Sequence, residues 1–212
     1  MDYKPYLVGI AGGSASGKSR FLRQLAQKLG SSVSILSLDD FYKPIEEQEK
    51  DENGVVNFDL PNSINKVFFL KCLESLKNGE DLALKEYHFN NPNTSAIRIK
   101  TIQYKPVILI EGLFIFYFKE VFEELDIKIF IQADDQIRFA RRIARDTSER
   151  GITPEMVTYQ WYNHVKPAYE TYLKPFKDKV DLVVNNNKSF DKALRILHLH
   201  LEQEAQWRAN LP

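Results

Sequence analysis

The feature that most restricts this chain lies between residues 12 and 19. Gly12-Gly13-Ser14-Ala15-Ser16-Gly17-Lys18-Ser19 satisfies G-x-x-x-x-G-K-[ST]. It stands between a short apolar run, Tyr6 to Ala11, and a stretch from Lys18 to Leu29 with helical spacing through Phe21, Leu22, Leu25, Ala26 and Leu29. A strand, a glycine-rich loop and a helix in that order make a cradle for phosphate. The glycines let successive backbone N–H groups point at one anion, and the helix start adds the positive end of its dipole. Lys18 supplies a charge for the β and γ phosphates, and Ser19 is a candidate ligand for the magnesium that bridges them.

The alternation continues along the chain. Val33 to Leu38 is a second apolar run, followed by an acidic, turn-rich segment, Glu46 to Asn62, expected to be a mobile loop. Ser63 is expected to cap a helix with Ile64, Val67, Phe68, Cys72, Leu73 and Leu76 on one side. Leu82 to Tyr87 and Ile97 to Tyr104 read as a hairpin flap, while Val107 to Ile110 and Ile127 to Ile131 read as buried central strands. Asp134 to Arg150 is expected to be helical with Ile137, Ala140 and Ala144 on one face, and Thr153-Pro154 starts another helix. Pro167 and Pro175 are expected to bend or end the chain's helical course beyond that start; a short strand, Asp181 to Val184, and a terminal helix, Ser189 to Trp207, complete the pattern. Alternating strands and helices imply a three-layer α/β fold.

With 212 residues, a single domain covering 1–212 is the expectation. Lys plus Arg and Asp plus Glu both number 29, so no overall positive field exists to hold nucleic acid or an anionic membrane. The first residues lack the features of a secretory signal, and no apolar stretch suggests a membrane span. A cytoplasmic protein is the expectation. The lone cysteine, Cys72, excludes an intrachain disulfide. His198 and His200, about 200° apart on a helix, cannot share a metal.

Two carboxylates follow apolar runs. Glu111 ends VILI, at the edge where ligands bind in open α/β sheets, and suits magnesium or its water shell. Asp39 lies in Ser37-Leu38-Asp39-Asp40-Phe41-Tyr42-Lys43, where a carboxylate can take the proton of an acceptor hydroxyl. Arg138, Arg141, Arg142 and Arg145 share a helical face, and four cations there repel unless an anion arrives.

Six blocks in order, GGSASGKS, SLDDFYK, NFDLP, IEGL, RRIARDTSERG and VKPAYETYLKPFKDKVDLVV, resemble the uridine kinase (uridine-cytidine kinase) family, within the phosphoribulokinase/uridine kinase group of P-loop enzymes. The resemblance implies a P-loop kinase fold with a central five-stranded parallel sheet, a β-hairpin flap (88–104) and a helical lid (138–165). It implies transfer of phosphate from ATP or GTP, with Mg2+, to the 5′-hydroxyl of uridine or cytidine. Carried over by resemblance, Asp39 is the catalytic base, with Lys18 and Arg145 also catalytic. Tyr42 lies beside the nucleoside, Asp59 holds the ribose hydroxyls and Tyr87 packs on the base. Arg142 and Gln160 belong to the substrate site, while Arg145 and Arg150 reach the phosphates. A homo-oligomer, tetramer or dimer, is likewise implied.

The chain departs from that family twice. The histidine expected beyond the hairpin tyrosine is replaced in Tyr87-His88-Phe89-Asn90-Asn91-Pro92-Asn93, and ERGR has become Glu149-Arg150-Gly151-Ile152. Lost polar contacts can broaden or redirect base specificity, unless His88 takes the place of the missing histidine, although on a strand it should point opposite Tyr87. A sister kinase acting on a sugar phosphate or vitamin-like riboside is the alternative, and a nucleotide-binding switch is a third reading that would need neither Asp39 nor Asp59.

Overall fold

The structure, a computed structural model, describes residues 4–85 and 99–210. Its strands are β1 (Tyr6–Ala11), β2 (Val33–Ser37), β3 (Leu82–Lys85), β4 (Ile99–Ile102), β5 (Val107–Glu111), β6 (Ile127–Gln132) and β7 (Leu182–Asn185). Five of them form one parallel sheet in the order β2-β5-β1-β6-β7, and β3 pairs with β4 as a separate antiparallel ribbon. β5 is buried at every residue, as a central strand covered on both faces must be.

Strand alternation divides the core in two. Leu7, Ile108, Ile110 and Phe130 point to one side, where they meet Phe69, Cys72, Leu73 and Leu76 of α2 (Lys66–Lys77) and Val121 of α3 (Lys119–Phe122). Val8, Ile10, Leu109, Ile129 and Ile131 point to the other, against α1 (Lys18–Leu29) and the C-terminal helix Asp191–Ala209, through Phe21, Leu25, Leu194, Leu197 and Leu201. The result is helix, sheet, helix. Among the described residues no helix is long and apolar enough to cross a membrane.

Four local expectations are corrected or refined. α2 is capped by Asn65, whose side chain accepts from Phe68 N at 3.1 Å, whereas the Ser63 hydroxyl donates to Asn57 O at 3.1 Å. That start sets the inward phase at 69, 72, 73 and 76, so Val67 is 80% exposed. In α4 (Asp135–Arg150), Ala140 and Ala144 are exposed, and the buried stripe is Arg138, Arg142 and Asp146. This helix faces a phosphate loop rather than an oily core. Pro167 does not end its helix: α5 (Pro154–Gln160) runs on through the π turn Trp161–Val165, α6 (Lys166–Ala168) and a second π turn, Tyr169–Leu173. The wider turns accommodate a residue without an N–H donor. Finally, the acidic segment is hydrogen-bonded, with Asp51 accepting from Asn53 N and Val55 N at 2.9 Å and a bridge between Lys50 and Val56.

These assignments are testable on α2. Phe69→Ala should lose about 3–5 kcal/mol of stability by creating a buried cavity, while Val67→Ala should stay within about 0.5 kcal/mol. Urea unfolding of both variants checks the phase of the helix; equal losses would contradict it.

Candidate active site

Because the five strands are parallel, the ends of β1, β2 and β5 open onto one edge, bringing together the phosphate loop, Asp39 and Glu111. The loop is tightly wound. Ser16 N donates to Gly13 O at 3.0 Å, Ala15 has φ 59° and Gly17 has φ 94°. A left-handed alanine is strained by about 1–2 kcal/mol, so the loop is held in shape by its surroundings. One such support is Asn186, whose side-chain amide donates to Ser16 O at 2.7 Å; a Cβ on Gly17 would come within 2.1 Å of that amide nitrogen. α1 then begins with no side-chain cap and no acid in its first turn. Its leading N–H groups are left for an anion.

Ser37 and Glu111 are paired in register on β2 and β5, so their side chains leave the same face of the sheet. The Ser37 hydroxyl donates to Glu111 Oε1 at 2.6 Å, and Lys18 Nζ forms a buried ion pair with Glu111 Oε2. Burial opposes both charges, yet each partner favours the other's ionised form: Lys18 is raised above the ordinary lysine range and Glu111 is lowered. Asp39 lies in the 3-10 turn Leu38–Phe41, whose Leu38 and Phe41 are buried as anchors. Its carboxyl opens to the cavity but sits deep in the fold. Desolvation, followed by repulsion from Glu111, raises its pKa to about 6 against the pull of Lys18. Next to it, Asp40 pairs with Lys100 of β4 at 2.9 Å, tying the ribbon to this edge.

The opposite wall comes from α4. Asp146 is fully buried, and three arginines converge on it: Arg142 Nε at 3.2 Å, Arg145 Nε at 2.7 Å and Arg150 Nη1 at 3.4 Å. Arg142 also donates to Ser14 Oγ at 2.9 Å and to Gln160 Oε1 at 3.3 Å, joining the phosphate loop to the lid. Arg138 behaves differently. It is 1% exposed, stacks over Tyr169 at 4.1 Å and pairs with Asp135 at 2.6 Å. Its guanidinium backs the loop, since a Cβ on Gly13 would strike Nη1 at 2.1 Å.

Between these walls lies a cavity of about 340 Å³. The loop from Gly13 to Ser19 lines it, together with Asp39, Tyr42, Asp59, Arg142, Arg145, Arg150 and Gln160. The sequence-predicted residues thus meet in one place, with three exceptions. Gly12 lies behind the loop, where a Cβ would come 2.4 Å from Ile131 O; Glu111 stands behind Lys18; and Tyr87 lies outside the described residues. Burial raises the Asp59 pKa, while Arg142 and His164 act against that shift.

Several contributors escaped the sequence reading. Phe58 lines the cavity and packs edge-on against Tyr42 at 5.8 Å, and His164 lines it too; Ile152, the sequence departure noted above, is also in the wall. Ser37 could have been found from strand pairing with Glu111. Asn186 left no local signal, because it acts on a loop brought to it by folding, whereas Asp146 stands four residues from both Arg142 and Arg150, a helical spacing present in the sequence.

The phosphoribulokinase/uridine kinase family model matches residues 7–192. The chain is 30% identical over 203 residues to uridine-cytidine kinase B of Dictyostelium discoideum, covering 94% of this chain and 82% of that one. It is 35% identical over 187 residues to uridine kinase of Leuconostoc citreum, covering 87% and 89%. Its fold is shared with D-glycerate 3-kinase from Cryptococcus neoformans at a TM-score of 0.64, with 17% identity and 88% of each chain covered. A cavity joining a phosphate loop to a carboxylate at the strand edge, and a family match across nearly the whole chain, lead to one conclusion: the chain belongs to the phosphoribulokinase/uridine kinase family, as an ATP-dependent phosphotransferase with an alcohol group as acceptor.

Proposed function

We propose that this enzyme transfers the γ-phosphoryl group of ATP to the 5′-hydroxyl of uridine or cytidine, giving UMP or CMP and ADP. The observation that carries this reading is that one cavity is lined at once by the phosphate loop, Asp39 and the buried Asp59. Lys18 and the loop N–H groups bind the β and γ phosphates. Arg145 and Arg150 reach the transferring group, where charge spreads over the equatorial oxygens. Asp59 orients the ribose hydroxyls, Tyr42 and Phe58 hold its apolar side, and Arg142 with Gln160 completes the acceptor wall. Asp39 takes the 5′-hydroxyl proton as that oxygen bonds to the γ-phosphorus and the bond to ADP breaks.

The donor set suits magnesium, which prefers oxygen ligands. Ser19 is exposed at the loop, and Asp39 and Glu111 are close enough for Glu111 to raise the Asp39 pKa, a repulsion that a divalent cation relieves. Ser19 and Glu111 would hold the ion, with Asp39 beside it, although Glu111 is engaged by Lys18 and Ser37 in this conformation. Such an ion would supply positive charge against that developing on the transferring phosphate.

ADP release by the purified enzyme with ATP and magnesium, measured across nucleosides, sugar phosphates and vitamin-like ribosides, tests the acceptor. Uridine or cytidine should raise turnover well above background hydrolysis. Acceleration by a non-nucleoside alone would favour the sister-kinase reading, for which the apolar Ile152 in the cavity is the supporting observation.

Asp39 yields two further tests. Asp39→Asn keeps the shape and removes the base, so single-turnover transfer should fall about 10²- to 10⁴-fold while equilibrium Mg-ATP binding changes little. Transfer surviving within a few-fold would refute the base assignment, and a parallel loss of Mg-ATP affinity would make Asp39 a metal ligand. The second concerns pH. A carboxyl raised to about 6 must be ionised to accept a proton, so kcat/KM with both substrates below saturation should fall on the acid side with a midpoint near that value. A profile flat from about pH 5 to 8 would contradict it.

A further inference from the structure

The acceptor wall carries a polar group that the proposed chemistry does not use. His164 lies in the π turn Trp161–Val165, is 3% exposed and lines the cavity together with Asp59, Arg142 and Gln160. Its Nε2 is 2.7 Å from Asp51 Oδ2, which also accepts from the Tyr159 hydroxyl at 2.7 Å. Asp51 is bound from every side. Its Oδ1 accepts from Asn53 N and Val55 N at 2.9 Å, Asn53 donates in turn to the Tyr159 oxygen at 2.7 Å, and the Tyr159 ring meets the imidazole edge-on at 5.8 Å.

This arrangement fixes the ring chemically as well as sterically. The Tyr159 hydrogen bond, then that of His164 and the two backbone bonds, hold the Asp51 carboxyl down to about 2, so it stays ionised and can only accept. Nε2 must therefore carry the hydrogen. The second ring nitrogen, Nδ1, makes no hydrogen bond to any described residue. His164 lines the cavity, and in the neutral ring Nδ1 is its remaining acceptor. Ile152, on the same cavity, offers no polar atom.

Resting on the nucleoside reading above, we propose that His164, oriented by Asp51, is a specificity-determining residue that accepts a hydrogen bond from a ring or exocyclic N–H on the acceptor's base. Uracil presents such a donor at N3 and cytosine at its 4-amino group. A buried acceptor of this kind selects against a ligand that leaves it unpaired. Asp51 is a positioning residue: it sets which nitrogen bears the hydrogen and how the ring stands.

The test compares uridine with 3-methyluridine, which lacks the N3 hydrogen, in the full-length enzyme. His164→Gln is the informative variant, because a glutamine amide can reach the position of Nε2 and keep the contact with Asp51 while placing nothing at Nδ1. The preference for uridine, as a ratio of kcat/KM values, should fall at least about tenfold in His164→Gln, chiefly through the KM for uridine, with Mg-ATP affinity unchanged. Asp51→Asn should lower the same ratio in the same direction. If His164→Gln does not fold, His164→Asn, which keeps a polar group near Nδ1 and gives up the Asp51 contact, should retain more of the preference than His164→Phe. A preference unchanged within about twofold in His164→Gln, or equal losses in His164→Asn and His164→Phe, would overturn the role. Wild-type enzyme that binds Mg-ATP yet phosphorylates no nucleoside would instead overturn the nucleoside reading, and this role with it.

Discussion

The buried contact between Lys18 and Glu111 governs the arrangement around it. Lys18 begins α1 and Glu111 ends β5, so the pair fixes the loop helix against a central strand, and Ser37 extends the link to β2. Two charges taken out of water gain little net stability from each other. Their value is geometric, because either left alone would be an uncompensated buried charge. The pair also sets the chemistry next door. With Glu111 ionised, Asp39 feels a like charge in a poorly solvated place, and that repulsion adds to desolvation in making it a base suited to near-neutral pH.

A second buried charge, Asp146, solves the problem posed by the basic face of α4. Arg142, Arg145 and Arg150 would repel one another without an anion, and Asp146 supplies one from within the same helix. One carboxylate cannot neutralise three guanidinium groups. The remaining positive charge faces the cavity, and the cations are held in position before any phosphate arrives, which is the condition for preorganised electrostatic stabilisation. Arg138 shares the helical stripe but spends its charge on Asp135 and on the faces of Tyr169 and Trp161, and so serves the loop's shape.

The fold was readable wherever hydrophobic period and glycine chemistry coincide: the loop, the five parallel strands and both helical layers follow from runs such as VILI and from the Gly12–Ser19 pattern. It was misread where a polar surface replaces the core. The inward face of α4 is Arg138, Arg142 and Asp146, so apolar spacing points instead to Ala140 and Ala144, which are exposed. α2 failed by phase, since Asn65 rather than Ser63 sets its first turn. In the candidate site, residues inside a local motif were legible. His164, Asp51 and Asn186 were not, because their significance comes from partners more than a hundred residues away in sequence.

The raised pKa of Asp39 also ties ligand binding to the solvent's acidity in a way that heats of binding would record. With the value raised to about 6, a growing share of resting molecules carries a proton on this carboxyl as the pH is lowered toward it. Any ligand that brings a cation beside Asp39 expels that proton into the buffer. The measured enthalpy of such binding then contains the ionisation heat of the buffer, in proportion to a fractional proton count that grows as the pH is lowered toward 6.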